Sequence, residues 1–103
     1  MLPAILLTAM YSCKPAAIDT FGEIYGVVTD MDTAEPVVNA IVVLSPGGTS
    51  LMTAEDGRYE YRYLEPQQYT ITVQKNGYST NRKSVTVVPG EKTEANISIR
   101  KND

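Results

Sequence analysis

Three groups of side chains in this 103-residue sequence have types and spacings that suggest chemistry: the lone Cys13, the carboxylates Asp30, Asp32 and Glu35, and the seven tyrosines. Histidine is absent, which removes the usual general base and the commonest metal ligand. A single cysteine allows neither an intrachain disulfide nor a thiolate zinc site. Asp30, Asp32 and Glu35 lie close enough in sequence to offer oxygen ligands to Ca²⁺. Their spacing is not that of an EF-hand loop, and no glycine stands where that loop needs one. A solvated turn, with an aspartate accepting from nearby backbone amides, is the favoured reading. Tyr59, Tyr61 and Tyr63 recur with period two and would share one face of a strand, as a sugar-stacking platform does. The competing reading sends Tyr59 and Tyr61 into the core with their hydroxyls at its edge. Tyr25, Tyr63 and Tyr78 are then the partly exposed rings. No carboxylate pair is brought together by the pattern, so the sequence calls for no catalytic residue, no metal and no cofactor.

Residues 2–10 are almost wholly apolar, and Ser12 and Cys13 follow. A short apolar run, a small residue and then a cysteine resemble a bacterial lipoprotein signal, which is cut before a cysteine that receives lipid. Residues 1–12 are accordingly expected to be a signal segment, Cys13 the lipidation site and residues 13–21 a tether. The membrane is then a partner, through the lipid on Cys13. Tyr11 is bulkier than the usual residue at its position, and no Lys or Arg precedes Lys14, which suggests that Met1 is not the natural start. A membrane span takes about 20 apolar residues, more than this run supplies. A core helix or buried strand is the alternative, made unattractive by Pro3 and by the missing amphipathic period. No aspartate follows Cys13 directly, which under the familiar sorting rule favours the outer membrane of a bacterial envelope.

The elements that must position these side chains follow from alternation. The length bounds a single domain, and 43% hydrophobic with 20% charged residues is globular composition. A net charge of −3 without a basic block argues against nucleic acid as a partner. From Gly22 onward the pattern has period two. Strands are expected over residues 23–29, 39–45 and 50–54, then one carrying Tyr59 and Tyr61, one carrying Tyr69, Ile71 and Val73, and two over 81–88 and 91–100. Ile24, Gly26 and Val28 share a face, as do Ala40, Val42 and Leu44; Val85, Val87, Ala95, Ile97 and Ile99 point inward. Asp56-Gly57, Asn76-Gly77 and Pro89-Gly90 supply turns. Seven strands without a helix-period segment argue an all-β, seven-stranded Greek-key β-sandwich over residues 22–101. The outward side chains of the first two strands, Tyr25 and Val27 with Ile41 and Val43, form the candidate binding patch for a protein or glycan partner. The alternative is that the tether covers them through Ile18 and Phe21.

One family matches this order of residues. Gly26-x-Val28-x-Asp30, Glu35-Pro36, Ala40-x-Val42, Asp56-Gly57-x-Tyr59-x-Tyr61-x-x-Leu64, Tyr69-x-Ile71-x-Val73 and Gly77-Tyr78 together resemble the carboxypeptidase regulatory-like domain. The resemblance covers about residues 22–100. It implies a transthyretin-like (prealbumin-like) seven-stranded sandwich that is not an enzyme but an accessory module of exported and surface proteins. The family often carries glycine where Ala34 and Gln67 stand, and Gln67 is expected to matter more because its corner wants a positive φ. Transthyretin-like hydrolases of urate breakdown rely on histidines, and there are none. The related adhesin repeats with an intramolecular isopeptide bond need a lysine on the first strand, and none lies in residues 23–29. Asn96-Ile97-Ser98 fits an N-glycosylation sequon, and Asp32-Thr33-Ala34 resembles a bacterial O-glycosylation site. The expected function is that of a non-catalytic envelope lipoprotein that presents or stabilises a binding surface. The alternative is a carbohydrate-binding accessory module of a cell-surface polysaccharide-utilisation system.

Overall fold

Alternating apolar and polar residues become two facing sheets. A computed structural model describes residues 20–102. The expected signal segment 1–12, Cys13 and the residues of the expected tether up to 19, Ile18 among them, lie outside the described residues. The strands are β1 (Gly22–Asp30), β2 (Ile41–Ser45), β3 (Thr49–Met52), β4 (Arg58–Leu64), β5 (Gln68–Gln74), β6 (Asn81–Thr86), β7 (Lys92–Glu94) and β8 (Ile97–Ile99). One sheet places β1 between antiparallel β4 and the parallel pair β7 and β8; the other runs β3-β2-β5-β6, all antiparallel. The result is an all-β two-sheet sandwich. Ile24, Val28, Val42, Ile71, Val73 and Ile99 are fully buried between the sheets, on the faces that the alternation assigns to them. Ala40, Val87 and Ala95 are also buried but flank strands rather than lying within them.

The last expected strand, 91–100, is broken in two by one substitution of partners. Ala95 N–H donates to the Tyr25 carbonyl at 2.8 Å, so an unbroken parallel ladder would have the Ala95 carbonyl accept from Val27 N–H. Instead the side-chain Oδ1 of Asn96 takes the Val27 N–H at 3.0 Å, and the Ala95 carbonyl turns into the core to accept from the Tyr59 hydroxyl. The turned carbonyl occupies the space above Gly26, where a Cβ would lie 1.9 Å from Ala95 O. Gly26 is therefore required by the backbone of its neighbour. The pairing register is the same on both sides of the break, so β7 and β8 act as one strand with one rung rebuilt by a side chain.

A second irregularity lies on β4. Gly22 pairs with Leu64 and Ile24 with Tyr61, so β4 carries one more residue than β1 between those rungs. Tyr63 takes φ 56° at this bulge and is thrown outward, 78% exposed, with Phe21 edge-on against its ring at 6.4 Å. Tyr59, Tyr61 and Tyr63 therefore do not share a face. The corner at Gln67 needs no positive φ; the non-glycine residues that adopt one are Ala34, Asn39 and Tyr63 among the described residues. Of the two positions where glycine is usual, Ala34 is the strained one, with φ 65°.

The β6–β8 side of the sandwich closes without a backbone ladder. Asn81 and Lys83 pair across β5 with the inward-facing Val73 and Ile71, so both point toward the other sheet. There Asn81 Nδ2 donates to the Ser98 carbonyl at 2.8 Å and Lys83 Nζ to the Asn96 carbonyl at 3.3 Å. Two polar side chains thus satisfy the edge carbonyls of the β7–β8 strand.

Candidate functional site

The four residues of the expected patch do not meet. Tyr25 and Val27 face outward from the β4-β1-β7 sheet, whereas Ile41 and Val43 face outward from the β3-β2-β5-β6 sheet. Outer faces of the two layers of a sandwich look in opposite directions. A shared patch would need the first two strands side by side in one sheet; here the chain crosses between sheets after β1. Ile41, 40% exposed, has Met52 and Gln74 as its cross-strand partners, and half-buried Val43 has Ser50 and Thr72. Phe21 lies against Tyr63 rather than over either pair, so the cover expected from it is not made.

The stronger site is built around Tyr25 alone. Its rung neighbours are Glu60 on β4 and Glu94 on β7, and the ring between them is 39% exposed. A groove of about 710 Å³ includes this ring in its lining, together with Val27 and Met52 of β3. Arg58, Glu60, Lys92 and Glu94 line it as two cations and two anions. Arg58 reaches Asp56 at 3.3 Å and Glu60 reaches Arg62 at 3.1 Å, both pairs in solvent. Glu94 accepts from Asn96 Nδ2 at 3.1 Å. The Tyr25 hydroxyl and the Lys92 ammonium have no hydrogen-bond or ion-pair partner among the described residues. Such a surface offers an apolar ring face with donors and acceptors on every side, and no net charge.

Tyr59, Tyr61 and Tyr69 are structural. Each is at most 5% exposed, which removes the sugar platform on that strand. Their hydroxyls end on main-chain carbonyls: Tyr59 on Ala95, Tyr69 on Glu65 at 2.9 Å, and Tyr61 2.9 Å from both Val42 and Thr49. Burial raises the Tyr59 pKa, with the neighbouring Tyr61 adding to it, and pushes Tyr61 up to about 12. The Tyr59 and Tyr61 phenols stay protonated donors at neutral pH.

The carboxylate loop folds as a turn. Asp30 Oδ1 accepts from the Asp32 and Thr33 amides at 2.8 and 3.1 Å, and its Oδ2 accepts from the Tyr78 hydroxyl at 3.1 Å. Those amide bonds hold its pKa below the usual carboxylate value, against a smaller opposing effect of desolvation. Asp30 thereby spends its lone pairs on the protein. No group of three or more His, Cys, Asp or Glu side chains is arranged to hold a metal among the described residues. Every buried side-chain polar atom among them has a hydrogen-bond partner. The Asn96 amide of the N-glycosylation sequon is committed to Val27 and Glu94.

Comparison with known proteins agrees with this architecture. The sequence model of the carboxypeptidase regulatory-like domain matches residues 23–100, and the chain belongs to that family. A search of curated proteins finds no match. Among solved structures, a minor pilin of Streptococcus agalactiae superposes with a TM-score of 0.67 at 19% identity, over 84% of this chain and 47% of the pilin. A 3-chlorocatechol 1,2-dioxygenase of Rhodococcus opacus gives 0.64 at 11% identity, over 81% of this chain and 61% of the enzyme. A candidate carbohydrate-binding protein of Bacteroides uniformis gives 0.60 at 14% identity, over 76% of this chain and 40% of that one. The chain spans less than two thirds of each of these proteins. A pilin, an enzyme and a candidate glycan binder on one sandwich mean that the likeness shows the fold, and function has to come from the site. The matching family is a non-catalytic module.

Proposed function

We propose that this carboxypeptidase regulatory-like domain is a lipid-anchored module of a bacterial envelope, held at the outer membrane through Cys13, that presents the Tyr25 groove to a partner. The observation that carries the presenting role is the groove itself. Among the described residues every buried side-chain polar atom is satisfied, while Tyr25 keeps its ring face and hydroxyl open beside a Lys92 that none of them pairs. The anchor is supported by the apolar run 2–10 followed by Ser12 and by a chain that contains one cysteine, Cys13. Fractionation and intact-mass analysis of the native protein, with Cys13→Ala as control, test it. Cleavage before Cys13 with added lipid mass is expected for the wild type, and loss of both for the variant. Wild type and variant recovered alike as soluble, full-length chains would end the lipoprotein reading.

A second reading is favoured by the charge balance of the same groove. A neutral, hydroxyl-rich sugar can stack on Tyr25 and use Glu60, Glu94 and Lys92 as acceptors and donors, and a lining with no net charge exerts no overall attraction on a ligand of one sign. On this reading the domain is a carbohydrate-binding accessory module of a cell-surface polysaccharide-utilisation system. Affinity electrophoresis on neutral polysaccharides distinguishes the two readings. Retardation that Tyr25→Ala abolishes and Ile41→Ala leaves intact supports the glycan. Unretarded wild-type protein rejects it and leaves a protein partner.

A further inference from the structure

We infer that Thr33 is a site of O-linked glycosylation, modified by a separate transferase; the inference rests on the envelope reading above. Its sequence context, Asp32-Thr33-Ala34, puts a carboxylate before the hydroxyl and a small apolar residue after it. The structure adds two independent observations.

The first is presentation. Residues 31–34 form a four-residue loop closed by Asp30 N–H on the Glu35 carbonyl and Ala34 N–H on the Asp30 carbonyl, both at 2.8 Å. All four loop residues are exposed. Thr33 is fixed through its own amide, which donates to Asp30 Oδ1 at 3.1 Å. Its Oγ1 accepts from the Glu35 amide at 3.3 Å. That contact lies at a wet surface, where an enzyme's own groups can replace it. The acceptor hydroxyl is reached without unpairing a strand.

The second is strain. Ala34 holds φ 65°, a conformation that glycine adopts freely and alanine does not. Elsewhere positive φ falls on Gly47, Gly48, Gly57, Gly77 and Gly90, on Asn39, whose type tolerates it, and on Tyr63 at the β4 bulge. The exposed Ala34 methyl is absent from the core cluster, so packing does not account for it. A methyl group directly after the threonine is what a glycosylation signal of this form asks for. Backbone strain kept at a residue without a structural need for its side chain points to function. The other sequon fails the same examination, because Asn96 is committed to Val27 N–H and rebuilds a rung of the sheet.

The transfer forms a bond between Thr33 Oγ1 and the anomeric carbon of a sugar carried on a phosphate or diphosphate. The bond from that carbon to the phosphate oxygen breaks, the phosphate leaves with the electron pair, and the hydroxyl proton passes to a base of the transferase. This domain supplies only the acceptor.

The test is mass analysis of the peptide containing residues 31–36 from full-length protein made in its own bacterium, beside Thr33→Ala, Thr33→Ser and Ala34→Gly. Sugar mass is expected on the wild type and on Thr33→Ser, and is expected to be absent from Thr33→Ala. Ala34→Gly is expected to be unglycosylated while unfolding at the same or a higher temperature, which separates recognition from folding. A bare Thr33 on protein recovered from the envelope overturns the site. Recovery of an uncleaved chain from the cytoplasm overturns the address instead. The same chain is therefore also carried behind an export signal established in that host, where a bare Thr33 again overturns the site.

Discussion

Ala34 shows how much one dihedral angle can decide. Its φ of 65° costs an L-residue roughly 1–2 kcal/mol relative to a right-handed conformation, part of which glycine gives back through its greater freedom in the unfolded chain. Ala34→Gly is expected to stabilise the domain by about 1 kcal/mol in urea unfolding. Gln67→Gly is expected to give no gain, because Gln67 has no positive φ to relieve. The buried phenols are a second residue-scale case. The Tyr61 hydroxyl lies 2.9 Å from carbonyls of both β2 and β3, so Tyr61→Phe removes a bond across the sandwich and should cost about 1 kcal/mol. Its folded pKa is raised to about 12 from an unfolded value near 10. The contribution is therefore complete below about pH 10 and is lost as pH rises toward about 12. Tyrosinate absorbance should show a late phase coincident with loss of β-sheet circular dichroism, and Tyr61→Phe should be less stable than the wild type at neutral pH but lose less of its stability between about pH 10 and 12.

At the scale of strands, what was legible in the sequence was whatever has period two. Ile24, Val28, Val42, Ile71 and Val73 were assigned to the core because alternation is a local signal, and all five are fully buried. Sheet membership is not local. The crossing of the chain between β1 and β2 put Tyr25 and Ile41 on opposite faces, and the run of residues around neither strand encodes that. The same limit hid the bulge that expels Tyr63 and the rung that Asn96 rebuilds, since both depend on a partner far away in sequence. Around Tyr25 the individual residue was readable as a half-exposed ring; its setting between Glu60 and Glu94 required the pairing register. Asn81 and Lys83 are the sharpest example. They occupy inward positions of β6 where alternation asks for apolar residues, and they serve the free carbonyls of Ser98 and Asn96. An inward lysine near a sheet edge also discourages pairing with another chain. Lys83→Met keeps the length of the side chain and removes its donor. It is expected to cost about 1 kcal/mol, and Asn81→Ala a similar amount. Both variants should speed amide exchange in β8 more than in β2, a pattern that a general loss of stability does not produce.

For the molecule as a whole, a domain of this size has little stability in reserve, and its ion pairs add little of it. The three salt bridges among the described residues are all exposed. What joins the two sheets beyond the core are bonds that run from one layer or its loops to the other. Asp30, at the end of β1, makes such a bond: its Oδ2 accepts from Tyr78 in the connection after β5, which also pairs with Lys101 near the end of the chain. The backbone amides of Asp32 and Thr33, with a smaller part from Tyr78, lower the Asp30 pKa in the folded state. Between the folded and unfolded values the unfolded chain binds the extra proton. The stabilisation from Asp30 is thus complete above the unfolded value of about 3.9 and is lost as pH falls through the lower folded value. Thermal melts from neutral to strongly acid pH, with Asp30→Asn as the comparison, read this directly. The variant is expected to melt below the wild type at neutral pH and to lose less of its melting temperature on acidification, so that the two curves converge in acid. Parallel curves would mean that Asp30 is not the group whose protonation loosens the join between the sheets.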